Sequence, residues 1–353
     1  MYLEHFQLKE FPYQLTPDSD FLYLSKAHAR AKAYMDYAIW NRDGFVVITG
    51  EVGTGKTTLI QKFISDLDKN VLMAKIFQTQ LTEEQFLQAV LNEFELRPLH
   101  TGKVELLDML NNFLLENFRQ SRQVVLIVDE AQNLSLSVLE EIRLLSGLET
   151  RKEKLLHIIL VGQPELKEKI ESPELSQLLQ RVRLRFHLRG LSEVETRQYI
   201  LHRLRVAGAQ RLSIFADNTI PIIYQYTGGI PRLINTLCDT ALTCAYVDEL
   251  RTVTTAVVKE AIDELQWQPF SRRAKAASLK RWAGQADNTE MAHLLRGNRQ
   301  LLSEIGNRLE KLESLFPLTG KMIAIEAQLR RIADSIERHD SKESFTYSNT
   351  TRR

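Results

Sequence analysis

The sequence predicts an α/β fold: a three-layer core on a parallel sheet, followed by an all-helical lid and a C-terminal helical appendage. Three observations carry that expectation. Phe45-Val-Val-Ile-Thr49 is an apolar, β-branched run that leads into Gly50-Glu-Val-Gly-Thr-Gly-Lys-Thr57, with Thr58-Leu-Ile-Gln-Lys-Phe-Ile-Ser-Asp-Leu67 at helical spacing behind it. Val124-Val-Leu-Ile-Val128 is a second apolar run, closed by the adjacent carboxylates Asp129 and Glu130. Beyond Gly190-Leu191-Ser192 the pattern turns helical throughout.

Gly50 to Thr57 fits the pattern G-x-x-x-x-G-K-[ST] without a mismatch. Gly50, Gly53 and Gly55 can take backbone angles that a side chain forbids, so successive N–H groups can point inward at a polyphosphate. The helix that starts near Lys56 adds unpaired N–H groups and the positive end of its dipole. The expected cradle is Gly50, Glu51, Val52, Gly53, Thr54, Gly55, Lys56, Thr57 and Thr58. In it Lys56 reaches the β and γ phosphates and the Thr57 hydroxyl ligates Mg²⁺. The bland alternative, a glycine turn beside a surface lysine, does not account for a strand before the loop and a helix after it. A nucleotide with Mg²⁺ is the expected ligand.

At 353 residues the chain has room for one or two domains and an appendage. Its 46 basic and 45 acidic residues leave a formal charge of +1, no global signal for nucleic acid or an anionic membrane. Cys238 and Cys244 cannot build a zinc site alone and read as buried free thiols of a reducing compartment. The start MYLEHFQLKEF does not read as a signal peptide, and no apolar run is long enough to span a bilayer. A cytoplasmic location is expected.

Residues 1–40 are expected to form an N-terminal aromatic arm and a helix. Tyr2, Phe6, Phe11, Tyr13, Phe21 and Tyr23 lack clean periodicity, and Pro12 and Pro17 stiffen the path. Such an arm packs on the domain, either as ordinary core or as a wall of the adenine pocket. The nucleotide-binding core is expected over 41–190. A strand is predicted over Val71–Phe77 and helices over about 83–94 and 103–119. Asp129 is placed to hold the Mg²⁺ shell, and Glu130 to act as base or orienter for the attacking water. A third strand, Leu155–Val161, ends at Gly162-Gln163-Pro164, where the Gln163 amide either meets the γ phosphate or water, or caps the next helix. His157 within that run is expected to be a core histidine.

Arg181, Arg183 and Arg185 alternate with Val182, Leu184 and Phe186, so the pattern predicts arginines along one side of a strand. Arg181, where the preceding helix ends, is best placed to reach a neighbouring subunit's nucleotide. A lid is expected over 191–266, with helices near 192–207, 215–227, 231–247 and 254–265. Ser192 and Glu195 suggest a capping box. Arg232 falls in a first helical turn behind Pro231, where a cation is unfavourable unless a phosphate or an acid such as Asp239 answers it. Residues 267–289 read as a basic linker, 290–338 as an amphipathic helical or coiled-coil hairpin suited to a partner, and 339–353 as a disordered tail.

As a set these stretches resemble the AAA+ ATPases typified by the bacterial general secretion pathway protein A and the mannose-sensitive pilus biogenesis ATPase. The resemblance rests on Phe6–Tyr13, Leu15–Asp18, Phe21–Ser25, Gly50–Thr58, Val128–Gln132, Val161–Leu166 and Gly229–Asn235. It implies that Gln163 acts as first sensor, Arg181 as arginine finger and Arg232 as second sensor. It also implies an ATP-dependent ring, often hexameric, that serves assembly of a secretion, pilus or exopolysaccharide system. The secretion member is expected to continue into a transmembrane helix and a peptidoglycan-binding module. This sequence carries neither, which leaves peripheral association at the inner membrane as the expected membrane contact. Related AAA+ proteins act in transposition, so a DNA-associated regulator that binds duplex DNA through residues 272–281 and the arginine run is the alternative.

Overall fold

A computed structural model describes residues 2–276, apart from 17, 19, 41–43, 99–101 and 152, together with Leu329. Met1–Ala274 forms one compact unit and Lys275–Arg353 a second. The expected linker beyond Ala276, the hairpin over 290–338 (Leu329 apart) and the tail over 339–353 therefore lie outside the described residues.

In chain order the elements are α1 (Tyr2–Phe6), α2 (Lys26–Trp40), β1 (Phe45–Gly50), α3 (Lys56–Ser65), β2 (Val71–Ile76), α4 (Glu83–Glu93) and α5 (Lys103–Arg119). There follow β3 (Gln123–Val128), α6 (Leu136–Leu145), β4 (His157–Gly162), α7 (Pro164–Ile170), α8 (Ser176–Arg181) and β5 (Leu184–Leu188). Four helices complete the unit: α9 (Glu193–Val206), α10 (Ile220–Thr227), α11 (Pro231–Val247) and α12 (Thr255–Glu264). The five strands form one sheet in the order β2-β3-β4-β1-β5, every pair parallel.

Strands this apolar must bury both faces, and the alternation of side chains sorts them cleanly. Phe45, Val47, Val124, Leu126, Val128, Ile158 and Leu160 face the core that holds α4, α5 and α6. Val46, Ile48, Val125, Ile127, Ile159 and Val161 face the opposite core, beneath Ala31, Met35, Ala38 and Ile39 of α2 and Leu59, Ile60 and Phe63 of α3. Burial of each large side chain contributes roughly 1.5–3 kcal/mol, which fixes the register as well as the fold.

Two expectations, on the arginine run and on a lid helix, are corrected. The arm and the helix of residues 1–40 divide between two cores. Tyr2, Phe6, Leu8, Tyr13 and Phe21 belong to the core of the helical lid, with Ile200, Leu204, Ile234, Leu237 and Ile262, whereas α2 belongs to the sheet. The arginines do not line one strand. Arg181 ends α8, and β5 begins only at Leu184, because Val182 N–H bonds back to Leu179 while Arg183 N–H opens the pairing with Phe45. The lid helix expected from 215 starts as α-helix at Ile220, since Phe215 is held in a bridge to Val253. Ser192 does cap α9 in a box with Glu195.

Candidate functional site

In a parallel sheet the loops after neighbouring strands converge at the carboxyl edge. Here β3, β4 and β1 lie side by side, so Asp129 and Glu130, then Gln163, then the glycine loop arrive at one place. The loop itself bends at Gly53 and Gly55, whose φ values are +81° and +93°. Cβ atoms there would meet Arg232 Cβ at 2.5 Å and His28 Nε2 at 3.0 Å.

Lys56 is buried at the start of α3 and donates from Nζ to the carbonyls of Gly50 at 2.7 Å and Glu51 at 3.0 Å. Burial lowers its pKa, opposed by the charges of Glu130 and Asp129. The Thr57 hydroxyl donates to Asp129 Oδ2 at 3.1 Å. Burial also raises the Asp129 pKa, against bonds from the Glu130 N–H and Thr57. Two hard oxygen donors this close suit Mg²⁺, which keeps its remaining places for water and phosphate. Among the described residues no group of three His, Cys, Asp or Glu gathers that could hold a metal by itself.

Glu130 stands in the left-handed region at φ +52°, a strained conformation for a residue with a side chain. Its Oε2 accepts from Gln132 Nε2 at 2.6 Å and Gln163 Nε2 at 3.1 Å. Burial would raise its pKa, but those amides and the charge of Lys56 bring it below the ordinary carboxylate value. Gln163 occupies the capping position of α7 without using its side chain there, so the amide serves Glu130 instead of the helix. Gln132 also accepts from the Gln163 N–H at 3.0 Å, and Lys169 pins the turn by donating to the Gln132 and Leu134 carbonyls.

A cavity of about 350 Å³ opens above the loop. Its walls are Val52, Gly53, Gly55, Lys56, Thr57, Thr58, His28 and Glu130 from the sheet domain, Gln14 to Thr16, Asp18 and Phe21 to Tyr23 from the arm, and Leu191, Tyr199, Arg203, Pro231, Arg232 and Asn235 from the lid. The volume and the mix of aromatic and polar lining are those of a small-molecule site. Gly50, Glu51 and Thr54 shape the loop from behind: the first two accept from Lys56, and Thr54 Oγ1 donates to the Glu51 carbonyl at 2.9 Å.

The structure brings most of the expected residues together. Asp129 joins the loop through Thr57, Gln163 joins Glu130 beside it, and Arg232 reaches the loop from the lid, its N–H donating to the Gly53 carbonyl at 3.1 Å. Asp239 takes no part in an ion pair with Arg232; it accepts from the Tyr2 hydroxyl at 2.5 Å. Arg181 is exposed and stands apart from the cavity, its guanidinium against Gly147. Arg185 pairs with Glu171 at 3.6 Å. His157 is buried in β4, and Cys238 and Cys244 are buried free thiols. His28, Gln132, Tyr199, Arg203 and Asn235 were not singled out from the sequence. Only Gln132, a polar residue directly behind the carboxylates, gave a local signal.

No helix among the described residues is long and apolar enough to cross a membrane. Residues 40–170 match the AAA domain family. The chain is 41% identical over 247 residues to General secretion pathway protein A of Aeromonas hydrophila, a match that covers 70% of this chain and 45% of that protein. The chain thus spans about half the length of that relative. Among solved structures, the Orc2 protein of Aeropyrum pernix in its ADPNP–ADP complexes aligns with a TM-score of 0.54 at 16% identity, over 72% of each chain. Cdc6p of Pyrobaculum aerophilum aligns with a TM-score of 0.54 at 17% identity, over 70% of each. Those likenesses concern the fold, whereas the secretion protein is a relative by sequence: this chain carries the AAA+ P-loop NTPase fold and is related to General secretion pathway protein A.

Proposed function

We propose that the chain is a Mg²⁺-dependent ATP-hydrolysing motor or switch that assists assembly of a cell-envelope system of the secretion, pilus or exopolysaccharide kind. One observation carries the chemistry. A glycine loop, Thr57 and a glutamate oriented by two amides line a single cavity, and Asp129 is bonded to the Thr57 hydroxyl, a pair suited to a hard cation. The envelope role is supported by the sequence relationship to General secretion pathway protein A.

In this reading the N–H groups of Gly53 to Thr57 and the start of α3 receive the phosphates, and Lys56 turns from the loop carbonyls to the anion that replaces them. Thr57 and Asp129 would hold Mg²⁺. When bound, the cation neutralises charge that builds on the phosphoryl oxygens. Glu130, ionised at neutral pH and aimed by Gln132 and Gln163, accepts a proton from the attacking water. Arg232 meets the phosphates from the lid. Arg181, exposed and away from its own cavity, serves a neighbouring copy in a ring, and the residues over 290–338 engage a protein partner.

Equilibrium titration with a fluorescent ATP analogue, for wild type and Lys56→Ala, tests the site; undiminished affinity in the variant removes the loop assignment. Turnover that is absent from a protein that binds ATP tightly would instead make it a nucleotide-locked scaffold.

A further inference from the structure

We propose that His28 is a positioning residue for the phosphate loop, holding the Thr54–Gly55 peptide so that the Gly55 N–H faces the nucleotide. The inference rests on the nucleotide-binding reading above and adds to it a residue from outside the motif.

His28 lies in the first turn of α2, 2% exposed, with its ring against the loop. Nε2 stands 2.9 Å from the Thr54 carbonyl oxygen, and Nδ1 stands 2.7 Å from Ser25 Oγ. A carbonyl can only accept, so Nε2 carries the proton and Nδ1 accepts from the Ser25 hydroxyl. Ser25 Oγ in turn accepts from the His28 N–H at 3.3 Å, which locks ring and helix end together. Burial lowers the His28 pKa, in keeping with a neutral ring.

The geometry has a direct consequence for the loop. A trans peptide is planar, with its C=O and N–H pointing opposite ways. To draw the Thr54 carbonyl toward α2 is to turn the Gly55 N–H away from α2, toward the concave side of the loop. Gly55 is the residue that permits the approach: its φ is +93°, and a Cβ there would stand 3.0 Å from His28 Nε2. Without the imidazole donor, the Thr54 carbonyl is buried and unanswered, and the peptide gains by rotating. The cradle then loses one of its N–H groups.

His28 also stands where arm, lid and loop meet. Ser25 is the last residue before α2, and the neighbouring Lys26 N–H donates to Glu195 Oε1 of the lid at 3.4 Å.

The test compares His28→Leu, which fills the space but donates nothing, with His28→Gln, whose amide can donate to the same carbonyl. The probe is a fluorescent, non-hydrolysable ATP analogue with Mg²⁺, measured on the full chain, with Lys56→Ala as control. His28→Leu is expected to weaken binding by about ten-fold or more, the consequence of one buried carbonyl left without a donor. His28→Gln should recover most of that loss, and thermal unfolding without nucleotide should not separate the two variants. Equal losses in both would mean the ring acts by its shape and would overturn the proposal. Binding unchanged in His28→Leu but lost in Lys56→Ala would also overturn it while sparing the site. Binding unchanged in Lys56→Ala would overturn the site itself. Should the leucine variant fail to fold, His28→Asn, too short to reach Thr54, takes its place with the same expected loss.

Discussion

Gly53→Ala places the smallest possible side chain where the loop meets the lid. The residue sits at φ +81°, and its new Cβ would lie 2.5 Å from Arg232 Cβ, an atom fixed to the backbone of α11 and unable to swing aside. A left-handed alanine costs about 1–2 kcal/mol. If α11 withdraws to relieve the clash, the Arg232 N–H bond to the Gly53 carbonyl goes with it, a further ~0.5–1.5 kcal/mol. An empty loop can relax and shed most of this strain. A loop wrapped on a phosphate cannot, so the cost falls on binding, about 2 kcal/mol or roughly 30-fold in affinity. Calorimetric or fluorescence titration with ATP analogue should show that loss, while the unfolding midpoint without nucleotide drops by only about 5 °C or less. In a cycle with Arg232→Gly, which removes the opposing Cβ, Gly53→Ala should cost less than it does beside the intact arginine. Affinity within about two-fold of wild type in Gly53→Ala would refute the reasoning, because neither strain nor clash could then be present.

Glu130→Gln keeps an oxygen for Gln132 and Gln163 but removes the base, so ATP affinity should hold while turnover falls by about 10²–10⁴; a phosphate-release assay that finds normal turnover would exclude Glu130 from the chemistry. Arg181→Ala should spare nucleotide binding and monomer stability yet abolish hydrolysis, with activity restored by mixing in a Glu130→Gln chain whose arginine is intact. Failure of that mixture to recover any turnover would refute an action between copies. Arg203→Leu removes the guanidinium that donates to the Pro12 and Gln14 carbonyls and covers Phe21 at 4.4 Å, so denaturant titration should show a loss of about 2–4 kcal/mol with the arm freed first to protease. An arm that stays protected in that variant would show that its apolar residues hold it unaided.

The loop and the two carboxylates were legible because each lies in a contiguous stretch whose chemistry is complete in itself. Strand, turn and helix around Gly50–Thr57 follow one another without a break, and Val124–Val128 runs straight into Asp129. The sheet order was not written there, but any parallel order that places β1 and β3 near each other brings the loop and the acids together. The arginine run misled for a physical reason. A period of two extends across the end of α8 as readily as along a strand, and only the backbone bond from Val182 to Leu179 shows where the helix stops. His28 and Arg203 were silent because their partners, Thr54 and Pro12, lie 26 and 191 positions away. Nothing local marks such a contact.

The same long-range pairing decides what the nucleotide can control. The arm is fastened to the lid by its aromatic side chains, by Arg203, by the Asn235 amide on the Gln14 carbonyl and by Tyr2 on Asp239. Arm and lid therefore share one core, and among the described residues the chain passes between it and the sheet domain near Ser25 and near Leu191. The second crossing is bare backbone: a Cβ on Gly229 would lie 1.9 Å from the Leu191 carbonyl, and the Leu191 N–H bonds the Gly229 carbonyl at 2.8 Å. A ligand in the cavity touches the loop on one side and Tyr199, Arg232 and the arm on the other, so it can favour only the arrangement in which both walls are in reach. Amide hydrogen exchange should accordingly slow at 24–27 and 189–191 when ATP analogue binds, together with the loop. Slowing confined to the loop would mean that arm and lid ignore the nucleotide, and the coupling argued from the shared cavity would fail.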